Sequence, residues 1–215
     1  MISHTQHKLS TIFLWLTLIW SLSGLVLMYV FSFGGRGLPL MGIPRFLSFF
    51  TILSNILGTI AVLKEIQKPG ALCSTFGSST LVYLIITCVV YSALLRGVWA
   101  PAGWILLADI LLHYLTPMGI LLSWIFSVRM NPDTRKSEPY GLTGAFMGKV
   151  LLFPAAYLIL TMLAGTITQR FPYPFLNVQS LGIVQVGINS MVIAMGFILI
   201  SWLIWLLDKL LWKWS

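Results

Sequence analysis

Thr51, Asp109 and His113 are the residues whose types and placement could do chemistry. A threonine hydroxyl is a weak nucleophile until a neighbouring base takes its proton. Imidazole is the usual base, and a carboxylate can hold its tautomer and orientation. Thr51 as nucleophile, His113 as base and Asp109 as the orienting group would suit acyl transfer. Asn55 or Asn189 could donate to the oxyanion of such a reaction. Ser54, Thr87, Tyr91, Thr116 and Gln185 would complete a polar cavity around them. No metal or other cofactor is expected. A catalytic metal normally takes three protein ligands, and Asp109 with His113 falls short. A bis-histidine haem needs two membrane histidines, and only His113 is available.

These residues are interruptions in strongly apolar sequence. Of 215 residues, 58% are hydrophobic and 8% are charged. The mean hydropathy is +0.94. Soluble domains carry roughly a quarter charged residues, so the composition implies a polytopic membrane protein. About 20 apolar residues cross the hydrocarbon core as a helix. Stretches 10–33, 45–63, 79–95, 102–127, 146–168 and 181–207 meet that need. The expectation is an all-α fold over residues 1–215, with six transmembrane helices in one bundle. The first stretch is too long for a signal-peptide core and reads as a retained helix. Cys73 and Cys88 offer neither a disulfide framework nor a metal-site spacing.

The breaks between stretches are clear. Gly34–Pro39 and Lys64–Gly77 are turn-rich, Arg96–Pro101 is short, and Asn131–Pro139 is the most polar segment. Arg170–Phe175 holds two prolines among aromatics and should lie as a ledge at the membrane interface. Lys8, Lys64, Lys68, Arg129, Arg135, Lys136, Lys149, Lys209 and Lys213 fall on one side, nine cations against four (Arg36, Arg45, Arg96 and Arg170). By the positive-inside rule both termini are cytoplasmic, as in a bacterial inner-membrane protein. The net charge of +8 then marks headgroup contacts and not nucleic acid.

Depth follows from the rise of about 1.5 Å per residue. Thr51 lies roughly 9 Å, Asp109 roughly 10 Å and His113 roughly 16 Å from the outer end of their stretches. Gln185, Asn189, Thr87 and Tyr91 enter from the same side. Thr51, Ser54, Asn55 and Gly58 follow i, i+3, i+4, i+7, one stripe of a helix. Asp109, His113 and Thr116 do the same. Pro117 has no N–H, so the His113 carbonyl should lose its helical partner and the helix should kink.

Other readings stand beside this one. Ser, Thr and Asn often join membrane helices or bond their own backbone, which covers Ser54, Gln185 and Asn189. Asp109 could pair with Arg96 instead of His113. A binder or transporter of a small or lipidic molecule would use the same outer-half cavity. A scaffold that only packs its polar residues would show no cavity between the second, fourth and sixth stretches.

The segment Phe49-Phe50-Thr51-Ile52-Leu53-Ser54-Asn55 resembles the FT-x-x-(S)N signature of the bacterial Pr6Pr family. Leu111-Leu112-His113-Tyr114-Leu115-Thr116-Pro117 resembles its second signature, a histidine followed shortly by proline, with a slightly different proline spacing. Tyr173-Pro174-Phe175-Leu176-Asn177-Val178 is similar to its YPFLDV run, with Asn177 where Asp is common. The order of the three motifs agrees as well. That family is similar to the androgen-induced gene 1 and androgen-dependent TFPI-regulating (FAR-17a-like) proteins, six-helix threonine hydrolases of fatty acid esters of hydroxy fatty acids. The resemblance implies Thr51 as nucleophile, His113 as base and a lipid or fatty-acyl ester as substrate. The role of Asp109 comes from the residues alone.

Overall fold

A computed structural model of the chain describes residues 4–33, 42–130 and 144–213. All regular structure among them is helical. The loops expected at Gly34–Pro39 and Asn131–Pro139, with Arg36, Arg135 and Lys136, lie outside the described residues. Helix α1 runs His4–Met28 and ends in a π turn, Tyr29–Phe33. A short α2, Gly42–Leu47, precedes α3, Phe50–Gln67. Helix α4, Thr75–Val90, also ends in a π turn, Tyr91–Leu95. Helix α5, Gly103–Ile110, joins α6, Thr116–Met130, through a third π turn, Leu111–Leu115. Helices α7, Gly144–Thr168, and α8, Val178–Lys213, follow.

Among the described residues, five helices are long and apolar enough to cross a membrane: Lys8–Phe33, Thr75–Leu95, Gly103–Val128, Phe146–Thr168 and Val178–Leu211. The expected span 45–63 differs most. It breaks at Ser48–Phe49, where Phe49 is extended (φ −89°, ψ 128°), and the helix then runs on to Gln67. The Ser48 carbonyl is held there by the Tyr157 hydroxyl at 2.9 Å. Thr51 therefore sits in the first turn of α3, not six residues inside a longer helix. The other end of α3 carries Lys64 and Glu65. The Glu65 carboxylate accepts the N–H groups of Gly70 and Leu72 at 3.0 and 2.7 Å. That turns the chain toward α4, whose first turn Ser74 caps by accepting Gly77 N–H at 3.2 Å.

Helices α1, α3, α4 and α6 form the interior, with Leu72, Leu81, Leu84, Leu112 and Ile120 fully buried. Small residues let them close on one another. A Cβ on Gly119 of α6 would stand 2.3 Å from Thr17 Oγ1 of α1. Helices α7 and α8 pack against this group along one side only. Their outer faces stay apolar and open, with Ile167 at 82% and Val184 at 73% exposure. Water does not tolerate so large an apolar surface, whereas lipid does. Gly182 interrupts α8 at φ 76°, ψ 160°, in positive-φ backbone that favours glycine.

Candidate active site

The first turn of α3 faces the π turn between α5 and α6. Thr51 Oγ1 lies 3.3 Å from His113 Nε2. The other ring nitrogen, Nδ1, is 3.1 Å from the backbone carbonyl of Asp109 and 3.1 Å from its carboxylate Oδ1. Both neighbours are acceptors only, so Nδ1 carries a proton, and in the neutral ring Nε2 is the bare nitrogen that faces the threonine hydroxyl. The N–H is aligned with the carbonyl; Oδ1 is close but takes no hydrogen bond. The carboxylate therefore acts on the ring through charge at short range, while the carbonyl supplies the directed bond. The other carboxylate oxygen, Oδ2, accepts the Tyr91 hydroxyl. Asp109 thus engages His113 and Tyr91, and makes no ion pair with Arg96.

The π turn is what aims His113. Thr116 N–H bonds Leu111 O, a five-residue step. In that register the carbonyl that Pro117 leaves unbonded is Leu112's, one residue before the His113 carbonyl expected from an α-helical count. Asn55 Nδ2 takes it at 3.2 Å and gives its second hydrogen to Thr51 O at 2.8 Å. Asn55 fastens α3 to the π turn, so its donors are not available to an oxyanion. Asn189 is likewise committed, donating to Phe175 O at 2.9 Å and accepting from Gln185 at 3.0 Å.

Thr51 also opens onto a cavity of about 260 Å³. Its walls come from α3, α4, α7, the segment Tyr173–Leu176 and α8, with Phe50, Ile86, Leu151, Tyr157, Ile193 and Phe197 among them. Thr87 and Tyr91 are among its lining residues. Ser54 and Thr116 do not: both are fully buried, and their hydroxyls lack partners among the described residues. They share a helical stripe with Thr51 or His113 but are packed away from the cavity. Gln185 is exposed and lies off the cavity. The cavity thus opens between α3, α4, α7 and α8, and His113 and Asp109 stand behind its wall, reached through Thr51 and Tyr91.

Tyr173 is the site residue that spacing arguments missed. The run around it was expected as an interfacial ledge, yet Tyr173 and Leu176 turn inward and are buried. The Tyr173 hydroxyl accepts the Thr51 N–H at 3.3 Å and lies 3.4 Å from Thr51 Oγ1. It caps α3, whose own N-cap residue, Phe49, offers no side-chain acceptor. Burial pushes the Tyr173 phenol above its ordinary range, with hydrogen bonds from Thr51 offsetting part of the rise. Its signals in the sequence were a hydroxyl between two prolines and the likeness of the Tyr173–Val178 run to a family motif. No protein-family model, curated protein or solved structure matches the chain.

Proposed function

We propose that this chain is an intramembrane hydrolase of lipid esters, with Thr51 as nucleophile and His113 as base. The contact between Thr51 Oγ1 and the bare Nε2 of His113, at 3.3 Å, carries the reading. Thr51 Oγ1 would attack the ester carbonyl as its proton passes to Nε2. Collapse of the tetrahedral intermediate would break the bond to the leaving alkoxide, which takes that proton. Water, activated by the same nitrogen, would then release the acid and restore Thr51. The apolar cavity beside Thr51 suits an acyl chain, and fatty acid esters of hydroxy fatty acids are the substrates that the sequence resemblance suggests. In this reading α3 is a sixth crossing helix of one bundle. The charge asymmetry supports a bacterial inner membrane with both termini cytoplasmic.

The test is covalent labelling of purified protein by an alkyl fluorophosphonate, followed by peptide mapping. Label is expected on Thr51 and is expected to vanish in Thr51→Ala and His113→Ala. Label on another residue, or label undiminished in Thr51→Ala, would overturn the proposal. Acyl-ligand binding in the cavity with neither label nor turnover would make the protein a lipid binder or transporter instead.

A further inference from the structure

Tyr173 is held from several directions. Pro172 and Pro174 flank it, and its ring stacks on Phe175 at 5.1 Å and meets Phe49 edge-on at 5.7 Å. The Asn189 amide anchors the Phe175 carbonyl behind it. A phenol oxygen has one hydrogen to give and lone pairs to receive. Here one lone pair receives the Thr51 N–H, and the oxygen lies 3.4 Å from Thr51 Oγ1. We infer that the Tyr173 hydroxyl is the oxyanion donor of this site, which rests on the Thr51–His113 reading above.

When the Oγ1–carbon bond forms, the carbonyl π pair moves onto the substrate oxygen. That oxygen is bonded to the same carbon as Oγ1, within reach of a donor poised beside Oγ1. Tyr173 gives it a hydrogen bond and keeps its proton. The only proton that moves is the one from Thr51, held on His113 Nε2 until the alkoxide leaves. The Thr51 N–H polarises the phenol and strengthens it as a donor. The first turn of α3 adds the positive end of a helix at the same point. The two amides closest to this role by sequence, Asn55 and Asn189, are already committed to backbone carbonyls.

The test uses full-length protein in detergent, p-nitrophenyl octanoate as substrate, and two ligands. An alkyl trifluoromethyl ketone forms a tetrahedral oxyanion on the nucleophile; the matching fatty alcohol cannot. Tyr173→Phe keeps the ring and removes the donor. A fall in kcat of about 100-fold is expected, with a comparable loss of ketone affinity. KM and alcohol affinity should stay within about threefold. A residue that only caps α3 would lower the melting temperature without singling out the ketone. A kcat within about twofold of wild type, while Thr51→Ala is inactive, would overturn the inference and leave the Thr51–His113 reading standing. Full turnover in Thr51→Ala would sink the underlying reading instead. If Tyr173→Phe does not fold, 3,5-difluorotyrosine at 173 keeps the acceptor and makes the phenol more acidic. Its kcat should then fall at alkaline pH where the wild type is flat. Superimposable pH profiles would overturn the inference.

Discussion

The Tyr91 ring lies flat on the His113 imidazole, with centroids 3.9 Å apart and planes 18° from parallel. Its hydroxyl donates to Asp109, the residue one turn before that histidine. One side chain from the π turn that ends α4 therefore holds the base by its face and the orienting carboxylate by its oxygen. The Tyr91 ring also lines the cavity. It shields the imidazole from the space that the substrate would fill.

Tyr91→Phe keeps the stacked ring and strips Asp109 Oδ2 of its donor. Asp109 is 2% exposed, so water cannot readily replace the lost bond. A stability loss of about 1–3 kcal/mol is expected, read as a lower melting temperature in detergent. Labelling of Thr51 should persist at a reduced rate. An unchanged melting temperature would show that the carboxylate finds another partner.

Asp109→Asn tests how the ring is held. Where a carboxylate alone orients the histidine, its loss costs on the order of 10⁴ in kcat. Here the Asp109 backbone carbonyl also accepts Nδ1–H at 3.1 Å, and the substitution leaves it in place. A smaller loss is expected, about 10- to 100-fold in ester turnover. A loss on the full triad scale would mean that the carboxylate, not the carbonyl, governs the ring.

Ala194 of α8 lines the cavity, as do Pro154 and Ala155 of α7. Ala194→Phe would fill the space that an acyl chain needs and leave Thr51 untouched. The ratio of kcat/KM for dodecanoyl over butyryl p-nitrophenyl esters is expected to fall by about tenfold or more. An unaltered ratio would place the acyl chain elsewhere.

Gly119→Ala probes the seam between α1 and α6. The added Cβ would meet Thr17 Oγ1 at 2.3 Å. Thr17 is fully buried and β-branched, and its hydroxyl is bonded to Phe13 O at 2.7 Å, so it has little room to give. A cost of about 1–3 kcal/mol is expected, measured by thermal unfolding. Gly58→Ala should cost less, because its nearest contact at 2.9 Å is the terminal methyl of Leu84.

Much of the site was legible as residue types in helical register. Asp109 and His113 are four apart on one helix, so their meeting required no long-range contact. Thr51 stood out as a hydroxyl on a polar stripe inside the apolar stretch 45–63. Its position in the helix was misplaced, because the break at Ser48–Phe49 depends on Tyr157, more than a hundred residues away in the chain. Ser54 and Thr116 show the limit of the stripe argument. A helical stripe spans a wide arc, and neighbours on one stripe can face different partners. Only packing decided that Thr51 opens on the cavity while Ser54 does not.

The sequence by itself determined an all-helical, membrane-suited chain and the candidate pair Thr51 and His113. The first follows from apolar run length, and the meeting of Asp109 with His113 from i, i+4 spacing, both of which act within one helix; Thr51 and His113 were paired by depth, residue type and motif resemblance. The tertiary structure decided the rest. It brought Tyr173 from the segment before α8 onto the first turn of α3, and Tyr91 from the π turn that ends α4 onto His113. It turned Asn55 from a free donor into the tie between α3 and the π turn. Each of these is a contact between segments whose order in the chain carries no information on which faces meet. That is settled by how the helices bury their apolar sides and pair most of their buried polar groups at once.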